Sequence, residues 1–248
     1  MFHKNRIKLL TVLIFLPMTS WAQSVEKVHN DLVTTTFNNS LSSDGKKIYF
    51  IQISSNYPLD QIMVSDLIGG KTHNVTPIMI DGLPLEGADV HISPDDSKLY
   101  YSARNDFGSK GKMKDYNLYV SQKVDGKWTT PQPLPKAINS ASDEFYPSLT
   151  NEGHLYFARR IENENLDIFV AKMVDGEYQE ATRLGIAINT GILEGDAFVA
   201  RDESYIIFAR MKAEDSLGMT DLYISYNRGT GWSKAKNLGG VINSKGID

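Results

Sequence analysis

Carboxylates recur at related positions along this 248-residue chain, in segments that join one apolar run to the next. They are Glu86 and Asp89, then Asp143 and Glu144, then Glu194 and Asp196, with Asp248 next in line. Several carboxylate oxygens held together suit a hard cation such as calcium or a basic segment of a partner. The same residue types also form turns on a solvated rim. Residue types alone do not distinguish these two interpretations. The sequence therefore predicts no cofactor, and calcium is the cation that such a group of carboxylates would bind.

Arginines accompany these carboxylates at the ends of three apolar runs, as Arg104, Arg159 and Arg210. A guanidinium pairs well with a carboxylate of its own or a neighbouring segment. The alternative is a site for an anionic ligand. The candidate binding residues are therefore Glu86, Asp89, Arg104, Asp143, Glu144, Arg159, Glu194, Asp196 and Arg210.

The sequence contains no motif typical of an enzyme active site, so no catalytic residue is predicted. There is no Gly-x-Ser-x-Gly elbow and no cysteine. The histidines after the leader show no metal-ligand spacing; they are His29, His73, His91 and His154. An enzyme remains the alternative, because sugar hydrolysis needs only two carboxylates. Such a carbohydrate- or peptide-processing enzyme would use Asp143, Glu144 and Glu194.

The segments that would position these side chains form a repeat. Ser42-Ser43-Asp44-Gly45 precedes an apolar run, and related turn and strand sequences follow three more times. The equivalent apolar positions are Ile48, Leu99, Leu155 and Ile206, which are 51, 56 and 51 residues apart. Periods of this length with several short strands each are typical of β-propellers.

A second half of each unit repeats with the same step. An Asp-Ile-Phe-Val type strand leads to a Gly-containing hairpin and an aromatic residue at Trp128, Tyr178 and Trp232. These copies close with Ile138-Asn139, Ile188-Asn189 and Ile242-Asn243. The first copy has Gly69-Gly70 and no aromatic. We predict an all-β propeller of four four-stranded repeats, with the aromatics packing between blades rather than stacking on sugars.

The turn motifs also resemble a known family. Ser93-Pro94-Asp95-Asp96 before Lys98-Leu99-Tyr100-Tyr101 is similar to the WD-like Asp-Gly repeats of TolB-like propellers, over nearly all of the chain after the leader. The fourth copy departs from the pattern with Asp202-Glu203-Ser204. The resemblance implies a secreted or periplasmic bacterial propeller, often six-bladed, used mainly for protein contacts. Some propellers of this kind precede peptidase domains. Either four blades close a ring, or the repeats are an incomplete part of a six-bladed ring in a larger protein.

The first residues read as an export signal. Lys4, Arg6 and Lys8 precede a short apolar stretch, and small residues flank a cleavage site after Ala22. The alternative, an uncleaved anchor helix, would need a longer apolar run. We expect a signal peptide over 1–22 and propeller repeats over 23–248, divided near 30–85, 86–141, 142–192 and 193–248.

Charge and cysteine content limit the partners. The net charge of −4 makes general nucleic-acid binding unfavourable, because that binding depends on neutralising phosphates. After signal cleavage no segment is expected to insert into a membrane. Without cysteines an exported domain depends on its apolar core alone. The sequence therefore predicts a non-catalytic scaffold in the periplasm or outside the cell, with an envelope or extracellular protein as partner.

Overall fold

The computed structural model of the protein describes residues 36–52, 60–104, 115–161, 165–191 and 193–248. The predicted signal peptide lies outside these ranges. The described residues form β-strands and turns, and they contain no helix with the length and apolar character that crossing a membrane requires.

The strands fall into four units along the chain. The first comprises β1 (Thr36–Leu41), β2 (Lys47–Gln52), β3 (Gln61–Ile68) and β4 (Lys71–Pro77), followed by the short hairpin of β5 (Met79–Ile80) and β6 (Leu83–Pro84). The second comprises β7 (Ala88–Ile92), β8 (Lys98–Ala103), β9 (Asn117–Val124), β10 (Lys127–Trp128) and β11 (Gln132–Pro133). The third comprises β12 (Glu144–Leu149), β13 (Leu155–Arg160), β14 (Leu166–Ala171), β15 (Met173–Val174), β16 (Glu177–Tyr178) and β17 (Thr182–Arg183). The fourth comprises β18 (Leu193–Val199), β19 (Tyr205–Met211), β20 (Thr220–Tyr226) and β21 (Lys236–Asn237).

Each unit is an antiparallel sheet whose strands pair in chain order, which makes it one blade. The first strands of successive blades pack on one another, β1 on β7, β7 on β12 and β12 on β18. The four sheets are therefore arranged as the blades of a four-bladed propeller, as the repeat predicts.

The second strand of every blade is buried on both faces. Ile48, Leu99, Leu155 and Ile206, the positions that define the repeat, are all fully buried. Alternate side chains of β13 face opposite neighbours: Leu155 and Phe157 pack with the second blade, whereas Tyr156 packs with the fourth. A fully buried aliphatic side chain contributes about 1.5–3 kcal/mol. Contact between blades is thus the main source of stability in this cysteine-free chain.

The predicted aromatic positions take part in these contacts. Trp128 packs against the cluster between blades 1 and 2, Tyr178 against that between blades 2 and 3, and Trp232 against that between blades 3 and 4. Trp232 also meets Tyr156 edge to face, with ring centroids 6.1 Å apart. The packing role predicted for these residues is confirmed.

The turn between the first two strands of each blade keeps one backbone shape despite a changing sequence. Its left-handed residue is Gly45 in the first blade, Asp96 in the second, Gly153 in the third and Glu203 in the fourth. Glycine adopts this region without penalty, and other residues do so at a cost. The Asp-Gly hairpins after β9 and β15 likewise have positive φ at both central residues, as a type I′ turn requires.

Gly153 provides a test of this turn. Gly153→Ala should lower the free energy of unfolding by about 1 kcal/mol, because Gly153 has φ of +81° and alanine is strained there. Chemical denaturation followed by tryptophan fluorescence measures the change. Gly185→Ala is the matched control, since an added methyl group at Gly185 meets open space. Equal effects of the two substitutions would contradict the turn assignment.

Hydrogen bonds between first strands fix neighbouring blades relative to one another. In β1, β7 and β12, the side chain two residues after the bulge accepts an N–H from the next blade: Ser40 from Ile92 at 3.0 Å, His91 from Leu149 at 3.2 Å and Ser148 from Val199 at 3.0 Å. Burial lowers the pKa of His91 to about 4, with a further contribution from the charge of Arg201. His91 is therefore a neutral structural acceptor.

Candidate functional site

Two of the predicted carboxylates are held by two of the predicted arginines. Arg159 Nε donates to Glu144 Oε1 at 2.9 Å, and Arg210 Nε donates to Glu194 Oε1 at 3.0 Å. Both glutamate side chains are fully buried. Each arginine also donates through Nη2 to a backbone carbonyl, that of Ile138 at 2.6 Å or Ile188 at 2.7 Å.

These ion pairs lie within single blades. Glu144 is directly opposite Arg159 in the β12–β13 pair, and Glu194 is opposite Arg210 in the β18–β19 pair. Burial raises the pKa of Glu144, although its contacts with Ser140 and Arg159 oppose that shift. Within the described part of the chain, one oxygen of each glutamate, Oε2, has no hydrogen-bond partner. The geometry is that of buried structural pairs, which matches the pairing expected from the sequence.

Asp143 also accepts hydrogen bonds from its neighbours. Arg160 Nε donates to Asp143 Oδ2 at 2.8 Å, and the backbone N–H of Tyr116 donates to Oδ1 at 2.8 Å. Burial alone would raise the pKa of Asp143, but these donors outweigh it and the pKa is lowered. Arg104 stands 3.9 Å from Asp143 across the blade boundary and lies over the Tyr116 ring at 4.5 Å.

Glu86 stays apart from this network. It is bridged by backbone pairing to Gln61, and its side chain forms no ion pair with a described residue. Lys110, Lys112 and Lys114, in the connection from β8 to β9, lie outside the described residues.

The remaining two candidates, Asp89 and Asp196, belong to a second group on the innermost strands. Every first strand carries a bulge whose left-handed residue is Asn38, Asp89, Tyr146 or Asp196. We call these four residues the axial cluster, because contacts join them across the blades. The Asn38 amide donates to Asp89, the Tyr146 N–H approaches Asp89 Oδ2 at 3.4 Å, and the Tyr146 ring lies against Gly195.

Burial changes the acidity of this cluster. It raises the pKa of Asp89 to about 7, and the negative charge of Asp196 adds to the shift, while the Ser102 hydroxyl at 2.7 Å opposes it. Asp196 is exposed at the surface, but the protein atoms around it displace part of its hydration shell. This desolvation raises the pKa of Asp196 to about 6. The pKa of Tyr146 is raised by burial and by both aspartates. The cluster can hold a proton near neutral pH or accept a positive charge.

A different group has the composition of a metal site but the wrong hydrogen bonding. Ligand atoms of Glu152, His154 and Glu203 lie within 4.8 Å of one another. His154 Nδ1, however, accepts the Met173 N–H at 3.0 Å, so the proton of the neutral ring is on the other nitrogen. Metal-bound histidines normally donate, rather than accept, through their second nitrogen. Glu203 also accepts from the Tyr156 hydroxyl at 2.9 Å, so the group fits a hydrogen-bonded network better than a metal.

Two structural roles were missed by sequence reasoning. The Asn that closes each repeat clamps the third strand: Asn189 Oδ1 accepts from Ile168 N and its Nδ2 donates to Ile168 O, both at 2.9 Å. The Ile-Asn recurrence was the available signal for this clamp. Asp167, at the start of β14, is paired by Arg183 of β17 at 2.5 Å rather than by an arginine of the second strand.

Solved structures of other proteins have a similar fold. TolB from Acinetobacter baumannii superimposes with a TM-score of 0.54 at 15% identity, over 83% of this chain and 43% of that chain. The fold is the β-propeller fold that TolB also has. A thermostable family-43 glycoside hydrolase is similar with a TM-score of 0.57 at 10% identity, over 85% of this chain and 75% of that chain.

These similarities establish the β-propeller fold alone. No family model matches the sequence, and no curated protein matches it. The chain spans less than half the length of the Acinetobacter baumannii TolB. The neighbours include both a TolB protein and a hydrolase, so function has to be argued from the residues of this chain.

Proposed function

We propose that this TolB-like propeller is a non-catalytic, exported protein-binding scaffold that contacts an envelope or extracellular protein through its loop face. The loop face is the end of the blades formed by the connections from second to third strands and from one blade to the next. The observation that carries the proposal is a group of exposed apolar side chains there, on blade 4. Such groups on a protein surface commonly mark interaction sites.

Four residues form this apolar patch: Leu217, Met219, Val241 and Ile247, exposed by 51%, 51%, 96% and 54%. Backbone contacts hold them together. The Met219 N–H donates to the Gly246 carbonyl at 2.9 Å, and Leu217 lies against Gly240, the neighbour of Val241.

The enzyme alternative gains little support from the geometry. Asp143, Glu144 and Glu194, the carboxylates it would use, are all committed to arginines of their own blades. A catalytic acid or base needs access to substrate, and Glu144 and Glu194 are fully buried. The hydrolase similarity concerns the fold and adds no residue to this account.

Partner capture from envelope extract tests the proposal. The double substitution Met219→Glu with Val241→Glu should abolish recovery of the partner, because burying an introduced carboxylate in an interface is costly. Quantitative mass spectrometry of proteins retained on the immobilised chain provides the measurement.

The control is Val124→Glu with Val174→Glu. These valines are 52% and 47% exposed at the hairpins on the opposite end of the blades, so the charge change is the same. Retention of the same partner by the patch variant and the control would contradict binding through the patch. Absence of any specific partner from the parent protein would contradict the scaffold function itself.

A further inference from the structure

A row of aromatic side chains crosses the loop face from the second blade to the axial cluster. The ring centroids of Tyr116, just before β9, and Phe145 are 5.0 Å apart, and those of Phe145 and Tyr146 are 5.8 Å apart. All three residues are half-buried. Consecutive residues of a strand normally point to opposite faces. The bulge in β12 explains why the neighbouring rings of Phe145 and Tyr146 meet.

Two arginines flank this row. Arg104 lies over the Tyr116 ring at 4.5 Å, and Arg160 lies over the Phe145 ring at 5.8 Å. They share Asp143 unequally: its two oxygens accept Arg160 Nε and the Tyr116 N–H, each at 2.8 Å, whereas Arg104 comes only to 3.9 Å. Within the described chain, Arg104 therefore keeps donors without a hydrogen-bonded acceptor, and its side chain is 44% exposed. Four side chains form what we call the aromatic ridge: Arg104, Tyr116, Phe145 and Tyr146.

Comparison with the other blades shows that blade packing does not require the ridge. The pairing register makes Ala88 of the second blade and Gly195 of the fourth equivalent to Phe145. Leu166 is the residue of the third blade equivalent to Tyr116, and it is buried. Small and aliphatic side chains thus satisfy the same positions elsewhere, so the exposed aromatic and arginine groups are additional to what the fold needs.

The ridge belongs to the interior of the blade array. The second and third blades each have a neighbour on both sides, because β7 contacts β1 and β12, and β12 contacts β7 and β18. Exposure of the ridge is therefore a property of the loop face and does not result from an uncovered blade.

The chemistry of the ridge suits an acid beside an apolar group. A guanidinium that is stacked on a ring presents its planar fork in a fixed direction, which favours a carboxylate. Tyrosine, phenylalanine and arginine are also enriched in protein interfaces. The charges of Asp89 and Asp196 approach Tyr146 at the other end of the row. They would repel an acid there, so a carboxylate is directed to Arg104.

From this arrangement we infer that the aromatic ridge binds an extended segment of the partner protein that carries an aspartate or glutamate next to an apolar side chain. The carboxylate binds Arg104, and the apolar side chain packs on Phe145 and Tyr146. The inference rests on the proposed scaffold function and names the chemistry of the segment that is recognised. The ridge lies on the second and third blades, whereas the apolar patch lies on the fourth.

Selection from a displayed library of short random peptides tests the ridge. Peptides retained by the immobilised protein are sequenced, and an acid adjacent to a large apolar residue should be enriched over the starting library. The most enriched peptide is then synthesised with blocked ends and a fluorophore, and its binding is measured by anisotropy. Replacing its acid by the corresponding amide should weaken binding about tenfold, because a charge-assisted hydrogen bond is lost.

Protein variants locate the interaction. Arg104→Gln and Phe145→Ala should each weaken binding of this peptide about tenfold. Alanine is compatible with the blade at position 145, because Ala88 occupies the equivalent position. Arg104→Lys should bind less well than the parent, because an ammonium lacks the planar fork. Circular dichroism confirms that the variants remain folded.

Arg228→Gln is the matched control. Arg228 is also an exposed arginine over a tyrosine ring, 5.7 Å from the centroid of Tyr226, but it lies after β20 at the opposite end of the fourth blade. This substitution removes the same charge and should leave peptide binding unchanged.

Three results would overturn the inference: no enrichment of acids with an apolar neighbour, equal binding of the acid and amide peptides, or equal binding by the parent and Arg104→Gln. Dimerisation that is lost in Arg104→Gln would instead assign the ridge to a second copy, and Arg104-dependent sedimentation with phosphatidylglycerol vesicles would assign it to an anionic membrane; either refutes the partner named here. Partner capture that requires the apolar patch but is unaffected by Arg104→Gln would leave the scaffold function standing without the ridge.

Discussion

Replacing Arg210 by alanine should lower the free energy of unfolding by about 3–5 kcal/mol, the usual cost of leaving a buried charge without its partner. Glu194 is fully buried and has its ion pair with Arg210. The substitution also removes the donor to the Ile188 carbonyl and the packing of the guanidinium over Tyr223. Urea denaturation followed by tryptophan fluorescence measures the loss.

A double substitution separates the charge from the packing. Glu194→Gln with Arg210→Met leaves no buried charge and keeps similar volume, so it should recover much of the stability lost in Arg210→Ala. Lys47→Ala is the surface control; Lys47 pairs with Asp66, but both side chains are substantially exposed and the expected cost is below about 1 kcal/mol. A double variant less stable than Arg210→Ala would contradict this account.

Replacing Asp89 by asparagine should stabilise the protein at pH 8 and have little effect near pH 4. Because the pKa of Asp89 rises from an ordinary value of 3.8 to about 7 on folding, the native state binds more protons between these values. The stabilising contribution of the protonated form is full below pH 3.8 and is lost as the pH rises through 7. At about 1.4 kcal/mol per unit, the difference at pH 8 is at most about 4 kcal/mol.

Thermal unfolding of the parent and Asp89→Asn across this pH range provides the test, and carbon-13 titration of the Asp89 carboxyl should give a midpoint near 7. Asp44→Asn is the control. The pKa of Asp44 is lowered, chiefly by the backbone hydrogen bond from Lys46, so its contribution is lost only at acidic pH. A destabilisation by Asp89→Asn that is equal at pH 5 and pH 8 would contradict the raised pKa.

The blades were predictable because their signals are local and repeat. The spacing of Ile48, Leu99, Leu155 and Ile206 identifies strands buried on both faces, and all four side chains are inaccessible. The turn shape persists where the sequence changes, since Asp96 and Glu203 adopt the same left-handed region as Gly45. Pairing of Arg159 and Arg210 with carboxylates also followed from residue type and position.

The axial cluster could not be predicted in the same way. Asp89 and Asp196 lie in the second and fourth blades, which are not adjacent. The equivalent residues of the first and third blades are Asn38 and Tyr146, so the four positions have no residue type in common. What the four positions share is a backbone bulge, which changes the direction of a side chain without a consistent sequence mark. Their proximity depends on the arrangement of whole blades, which spacing along one chain does not specify.

The hydrogen bonds from Ile92, Leu149 and Val199 to the preceding blades have a geometric consequence. Apolar contact by itself would let one sheet slide along its neighbour, because dispersion forces have no preferred direction. A directional bond at the same height on each inner strand prevents that sliding. Neighbouring blades are therefore held at one fixed offset, so that loops distant in sequence keep a constant height relative to one another.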